Sequence, residues 1–172
     1  PSGSTAGRET LEPAVSDTTQ RIANILLDDD RRIRLSPQVE HERRVAVHDL
    51  IEENVFEPVG GFTGPFTVHL GLRGSSLIFN VSDAADEPLV SFALSLGDFR
   101  SLIKDYFIVC ESYYDAIKKL SPSQIEAIDM GRRGLHNEGS RLLQDRLADK
   151  AKIALDTARR LFTLLCVLHI RG

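Results

Sequence analysis

Apolar residues recur at every second position in three neighbouring segments in the middle of the chain, and the positions between them are mostly polar. The apolar positions are Phe66, Val68, Leu70 and Leu72 in the first, Leu77, Phe79 and Val81 in the second, and Val90, Phe92, Leu94 and Leu96 in the third. Because side chains alternate between the two faces of a strand, this period of two predicts strands with one apolar face. Gly74 with Ser75, and the segment 83–88, predict the turns between them. The pattern predicts a three-stranded antiparallel meander whose apolar face must be covered.

Apolar residues at helical spacing fill much of the remaining chain. Ser36 followed by Pro37 predicts the start of one helix, since serine caps free amides and proline at the first helical position forfeits no hydrogen bond. Apolar positions at intervals of three and four over residues 99–117 predict a second helix of about 20 residues. Ser121, three positions before Gln124, is typical of a capping box and predicts the start of a third helix.

The two ends of the chain add strands and a buried helix. Residues 22–27 predict a short strand, and the brief alternation of residues 152–155 suggests an edge strand. Asp156 is expected to cap a last helix, which is apolar almost all round over residues 161–170 and should therefore be central. Together these elements predict a single α+β domain over residues 21–172, in which an N-terminal strand and the meander form a small antiparallel sheet packed against the C-terminal helices.

Composition agrees with one globular domain and excludes several classes of protein. The chain has 172 residues, of which 42% are apolar and 27% are charged. Residues 1–20 contain few apolar side chains, which predicts a flexible arm unless the domain supplies a groove for it. No apolar run approaches the roughly 20 residues that a membrane helix needs. Cys110 and Cys166 both sit in apolar helical patterns, which predicts buried thiols in a reducing compartment, the cytoplasm.

The net charge and the absence of common sequence motifs argue against several kinds of binding site and enzyme. The formal net charge is −4, although residues 97–172 carry 13 lysines and arginines against 10 aspartates and glutamates. Proteins that neutralise many phosphates normally carry a basic excess, so bulk nucleic-acid binding is disfavoured. His41 and His48 are seven positions apart, which does not fit a helical zinc pair, and no dinucleotide fingerprint or nucleophile elbow occurs. We predict neither a metal nor a cofactor.

The most unusual stretch runs from Met130 to Ser140, where three glycines interrupt a predicted helix at a cost of about 1 kcal/mol each. Several polar side chains of this stretch converge on one face at helical spacing. They are Arg132, Arg133, His136, Asn137 and Ser140. Two guanidinium groups with an imidazole, an amide and a hydroxyl suit a bound phosphate or carboxylate. We therefore predict a ligand-binding site at these five residues, where the glycines would let a ligand approach.

A purely structural interpretation of the same stretch stays open. Asp129 lies three and four positions before the two arginines, and Glu126 is within reach, so ion pairs along the helix could occupy both cations. The glycines could serve only to bring this helix close to the buried C-terminal helix.

Three functions are compatible with these residues. The first is a non-catalytic binding or regulatory domain that grips an anionic group of a small ligand or a protein partner. The second is an enzyme of phosphoryl or phosphodiester chemistry, with His136 as general acid or base and Glu138 assisting. The third is a contact with RNA or the ribosome, because several RNA-binding modules share the order helix, meander, helix. We favour the first function, since donors converge without an obvious nucleophile.

Four stretches carry a resemblance to a known family. They are SPQVEHERRVAVHDLIEENVF, IKDYFIVCESYYDAI, SPSQIEAIDMGRRGLHNEGSRLLQDRL and DTARRLFTLLCVLH. Over residues 22–172 the chain resembles the uncharacterised alphaproteobacterial family UPF0262. The resemblance implies a bacterial cytoplasmic protein, and it carries no activity, cofactor or residue role onto any position.

Overall fold

Residues 19–28 and 34–170 are described by the structure, which is a computed structural model. Within these residues the chain forms six strands and four helices, so the predicted α+β class is confirmed. In chain order they are β1 (Ile22–Leu27), α1 (Pro37–Glu52), β2 (Phe56–Pro58), β3 (Phe66–Arg73), β4 (Ser76–Ser82), β5 (Pro88–Ser95), α2 (Arg100–Lys119), α3 (Pro122–Leu147), β6 (Ala151–Ile153) and α4 (Leu155–Leu168). The arm predicted over residues 1–20 lies outside the described residues except for its last two positions.

The predicted meander forms most of a four-stranded sheet in the order β1-β3-β4-β5. Strands β3, β4 and β5 pair antiparallel, and the cross-strand rings of Phe79 and Phe92 stack with their centroids 4.9 Å apart. Strand β1 joins β3 in parallel, so the sheet is mixed where the sequence predicts an antiparallel one. The connection through α1 and β2 returns the chain to the same end of the sheet, and a long crossover of this kind is what parallel pairing requires.

A separate antiparallel pair joins β2 to β6. The strand predicted over residues 152–155 is therefore present as β6, but it does not lie at the edge of the main sheet. Phe56 faces Ile153 across this pair, and both side chains are buried. Three residues are too few to show a period of two, which is why the pattern of β2 carries no strand signal.

Capping residues were predicted for the starts of three helices, and two of these predictions are confirmed. Ser36 Oγ accepts a hydrogen bond from the Val39 amide at 3.3 Å, and the predicted capping box at Ser121 is formed. The prediction for the last helix was wrong, because α4 begins one residue earlier than Asp156 and its N-cap is Ala154. Asp156 instead lies in the first turn, where a carboxylate interacts favourably with the helix dipole.

Helix α4 is central, as predicted from its apolar composition. Eight of its 14 residues are buried, and α1 and α3 pack against it. One continuous apolar cluster joins this helix to the covered face of the main sheet. Both cysteines are buried free thiols, which confirms their predicted burial. The core thus fixes α4 as the element around which the other helices are placed.

A buried amide ties the first strand to the first helix. Asn54 is only 8% exposed, and its side chain bonds both backbone groups of Ile22, accepting from the amide at 2.6 Å and donating to the carbonyl at 2.9 Å. The same amide also donates to the Leu50 carbonyl at 2.7 Å, near the end of α1. Buried polar groups are tolerated when they are satisfied in this way. Asn54 therefore fixes the position of β1 relative to α1.

The three glycines of α3 differ in their surroundings. A Cβ atom at Gly139 would overlap the ring of Phe162 on α4, whereas a Cβ at Gly131 or Gly134 would meet nothing within 4 Å. Gly139 is therefore required for the close approach of α3 to α4, as the structural interpretation of this stretch anticipates. That interpretation does not explain Gly131 and Gly134, which lie on the exposed side of the helix.

Replacing Gly139 by alanine should destabilise the fold, whereas replacing Gly134 by alanine should stabilise it. The first change forces a methyl group into the Phe162 ring, which typically costs about 1–3 kcal/mol. The second removes a helix-interior glycine at an open position, which is worth about 1 kcal/mol in the opposite direction. Urea unfolding measures both changes. A Gly139→Ala variant at least as stable as the wild type would show that Gly139 is not a packing requirement.

Candidate functional site

A cleft of about 490 Å³ opens where α1, α3 and α4 meet. Most of its side chains are charged or polar, and α2 supplies the buried ring of Tyr106. The lining consists of His41, Glu42, Val45, Ala46 and Asp49 of α1, Tyr106 of α2, Arg132, Arg133, His136 and Asn137 of α3, and Arg159, Arg160 and Thr163 of α4. We call this the arginine cleft, since four guanidinium groups belong to it. Its volume lies in the range of small-molecule sites.

Helix α3 brings four of the five predicted site residues into the arginine cleft. Arg132, Arg133, His136 and Asn137 line it together, because positions three and four apart share a face of a helix. Ser140 is fully buried and does not line the cleft. Its hydroxyl donates to the His136 carbonyl one turn back at 2.7 Å. Ser140 thus supports the turn that carries His136.

Helix α4 contributes a second basic pair that sequence reasoning missed. Arg159, Arg160 and Thr163 repeat the spacing of Arg132, Arg133 and His136, with two adjacent arginines and a third polar residue one turn later. The doublet was visible in the sequence, but the apolar run that follows it favours the interpretation of α4 as core alone. The repeated spacing is the signal by which this half of the cleft could have been found.

The arginines of α3 share one carboxylate. Arg132 donates to Asp129 Oδ1 at 2.6 Å through Nη2 and at 3.0 Å through Nε, and Arg133 Nε lies 3.2 Å from Asp129 Oδ2. Burial acts to lower the pKa of Arg132, but the hydrogen bond to Asp129 and the attraction of Asp129 and Tyr106 together exceed that effect and raise the pKa above its usual value. The guanidinium of Arg132 also lies over the ring of Tyr113, 4.6 Å from the ring centroid. Arg133 is 60% exposed, so most of its donors remain open to solvent.

The arginines of α4 differ from each other in how firmly they are held. Arg159 donates to Asp156 at 2.7 Å and to the Asn137 side chain at 3.2 Å, which links the two basic helices. The Nε atom of Arg160 lies 3.9 Å from Asp49, beyond hydrogen-bond distance. Among the described residues, Arg160 therefore has a carboxylate neighbour but no side-chain hydrogen bond.

The wall on the α1 side carries the acidic groups of the cleft. Glu42 accepts a hydrogen bond from the Tyr114 hydroxyl at 2.7 Å and lies 4.0 Å from Arg132. Burial, together with this bond to Glu42, raises the pKa of the Tyr114 phenol. The two carboxylates in the lining, Glu42 and Asp49, face four guanidinium groups. The lining itself is cationic.

His136 is held as a neutral imidazole. Burial and, to a smaller extent, the charges of Arg132, Arg159 and Arg160 lower its pKa to about 4. Its Nε2 lies 2.8 Å from the Thr163 hydroxyl, which itself donates to the Arg159 carbonyl at 3.3 Å. The Thr163 hydroxyl therefore accepts a hydrogen bond from the Nε2–H group of His136. The ring packs between Tyr106 and Phe162, at 5.5 and 5.3 Å between centroids.

The arrangement is suited to holding an anion rather than to moving a proton. Arginine forks supply planar pairs of donors that match the oxygens of a phosphate or carboxylate. In contrast, a general acid or base needs a pKa near the working pH and a free nitrogen, and His136 has its Nε2 committed to Thr163. Glu138 is exposed and does not line the cleft.

Similar proteins come from other bacteria and match the chain almost end to end. The model of the uncharacterised protein family UPF0262 matches residues 19–171. A UPF0262 protein of Paramagnetospirillum magneticum is 58% identical over 153 residues, covering 89% of this chain and 98% of that protein. One from Rhodopseudomonas palustris strain HaA2 is 51% identical over 160 residues, covering 93% and 98%, and one from Agrobacterium fabrum is 55% identical over 152 residues, covering 88% and 96%. No solved structure matches the chain significantly.

Replacing His136 by glutamine should flatten the pH dependence of stability below pH 6.5. The folded-state pKa of about 4 lies below the ordinary value of 6.5, so between these values the unfolded chain binds a proton that the folded chain does not. The contribution of His136 is therefore fully present above pH 6.5 and is lost as the pH falls towards 4, by up to about 3 kcal/mol. Urea unfolding at intervals from pH 7 to pH 4 measures the difference between variant and wild type.

A His48→Gln variant is the matched control, because it also removes one histidine, but from a position on α1 that is 73% exposed. A difference between His136→Gln and wild type that stays constant with pH would contradict the neutral state assigned to His136.

Proposed function

We propose that this chain, which belongs to the uncharacterised protein family UPF0262, is a binding protein that holds the phosphate or carboxylate group of a small anionic ligand in the arginine cleft. The observation that carries the proposal is the meeting of two arginine doublets, one from α3 and one from α4, in a cavity of about 490 Å³. Neither doublet alone defines a site, since each arginine has an acidic neighbour. Their convergence creates the excess of donors.

Two of the four arginines are available to a ligand. Arg133 keeps most of its donors in solvent, and Arg160 lies 3.9 Å from Asp49 without a hydrogen bond. The other two, Arg132 and Arg159, are fixed by Asp129 and Asp156. Arg132 and Arg159 are already ordered before binding, so they contribute to the positive potential of the cleft without a further loss of side-chain entropy. Only Arg133 and Arg160 have to become ordered when they bind the anion.

The uncharged groups of the cleft fit the same function. A neutral His136 adds no positive charge to those of the arginines, and this limits the electrostatic repulsion in the cleft when no ligand is bound. The Asn137 amide oxygen accepts from Arg159, so its NH2 group remains a donor for a ligand. Binding therefore relies on guanidinium and amide donors, without a nucleophile.

A cytoplasmic ligand is part of the proposal. None of the described helices has the length and apolar character needed to cross a bilayer. Cys110 and Cys166 are both buried as free thiols, and burial raises the pKa of Cys110 to about 11. Free buried thiols are typical of proteins from reducing compartments, which supports a cytoplasmic small molecule as the ligand.

Replacing Arg133 or Arg160 by alanine should weaken anion binding by about 10- to 100-fold. A hydrogen bond to a charged group contributes about 1.5–3 kcal/mol, and each 1.4 kcal/mol is a factor of ten in affinity. Titration calorimetry with inorganic phosphate, a nucleoside monophosphate, a sugar phosphate and succinate measures the effect, in a buffer at about 0.15 M salt to screen weak surface attraction.

Arg141→Ala is the matched control, because Arg141 is exposed on the same helix and lies outside the cleft. The proposal predicts wild-type affinity for this variant. It is contradicted if none of the four anions binds, or if the binding survives the loss of Arg133 and of Arg160 unchanged.

A further inference from the structure

A second cavity lies beside α2, apart from the arginines of the first. It has a volume of about 740 Å³ and opens between α2 from Arg100 to Tyr114, the first turn of α1, the turn between β3 and β4, and the end of α4. Its apolar lining side chains are Val39, Leu96, Ile103, Phe107, Ile108 and Ile170. We call it the α2 cavity. A cavity of this size with an apolar lining and a few polar groups is the usual form of a small-molecule site.

Two cations stand at one end of this lining. Arg100 and Lys104 are one turn apart on α2 and both line the α2 cavity. Among the described residues neither side chain makes an ion pair or a side-chain hydrogen bond. Like charges four positions apart on a helix repel each other. Within residues 19–28 and 34–170, the pair therefore has no carboxylate partner.

Helix stability does not explain this placement. Arg100 is the first residue of α2, where the helix dipole disfavours positive charge, and Lys104 follows one turn later. The first turn carries no acidic residue, and the N-cap makes no side-chain hydrogen bond. Both cations are thus at positions where an anion would stabilise the pair and the helix end together.

The lining of the α2 cavity changes from cationic to apolar along helix α2. Glu111, the acidic residue of the lining, comes seven positions after Lys104, which is roughly 10 Å along the helix axis. Between them lie Phe107 and Ile108, and Ile108 is 53% exposed although it is a large apolar residue. The cationic end and the apolar body are therefore adjacent and distinct.

We propose that the α2 cavity binds a single-chain amphipathic anion, with its acidic head at Arg100 and Lys104 and its apolar chain along Phe107 and Ile108. Carboxylate and phosphate heads share the chemistry that the two cations recognise. The inference is independent of the arginine cleft, since neither Arg100 nor Lys104 lines that cleft.

Dodecanoate, dodecyl phosphate and dodecanol, titrated into the purified chain below their aggregation concentrations, test the proposal by calorimetry. At least one of the two anions should bind one molecule per chain, and the tighter of the two identifies the head. Dodecanol should bind at least tenfold more weakly, because it lacks the charge. The matching ten-carbon anion should bind about tenfold more weakly than the twelve-carbon one, since each methylene contributes to burial.

The variant Arg100→Ala with Lys104→Ala should weaken binding of the anion at least tenfold. Lys118→Ala with Lys119→Ala is the matched control, because it removes two positive charges from the other end of the same helix, outside the cavity. Ile108→Asp, a change at an exposed position, should also weaken binding by placing a negative charge beside the chain. Arg133→Ala should have no effect, which separates this site from the arginine cleft.

Four results would overturn the proposal. The first three are that neither anion binds, that dodecanol binds as tightly as the anions, and that the two double variants lose the same affinity. The fourth comes from a parallel titration with vesicles, and it is that the chain binds only to vesicles that contain an anionic phospholipid. The last result would show a surface that docks on a membrane rather than a cavity that holds a free amphiphile.

Discussion

The close approach of α3 to α4 at Gly139 is the constraint on which the arrangement of the helices depends. The Phe162 ring occupies the space that any larger residue at position 139 would need. Because α4 is the centre of the core, this contact fixes α3 against an element that cannot shift without disturbing the apolar cluster. The basic faces of the two helices are thereby brought within reach of each other, and Arg159 bonds Asn137 across the gap. The contact between Gly139 and Phe162 thus determines both the packing of the two helices and the placement of their arginines.

Four guanidinium groups can share a cleft because each has an acidic neighbour. Asp129 serves both arginines of α3, Asp156 holds Arg159, and Asp49 lies near Arg160. Isolated buried charges are costly, whereas charges that are paired and partly solvated are not. The neutral His136 belongs to the same balance. Burial of the ring disfavours its protonation, and a positive charge on it would also face three arginines.

Local signals in the sequence identified most elements, and longer-range relations were harder to derive. The capping box at Ser121 involves only neighbouring residues, so it could be predicted from the sequence. The direction of β1 depends on where a long connection returns, which no local pattern encodes. In the site, Arg132 to Asn137 were found because glycines made the stretch unusual. Ser140 shares their helical spacing but faces the core, and spacing alone does not distinguish those directions. Arg159 and Arg160 were hidden by the apolar residues that follow them.

The segment from Asn54 to Pro58 bears on the order in which the protein is completed during synthesis. Asn54 holds β1, the Val55 amide donates to Thr157 Oγ1 at 2.9 Å, and β2 pairs with β6. The first strand is thus fastened to a segment whose own partners lie about a hundred residues later. Until residues 151–157 have left the ribosomal exit tunnel, that segment has unpaired backbone groups. The nascent chain therefore reaches its final topology only after these later residues have emerged.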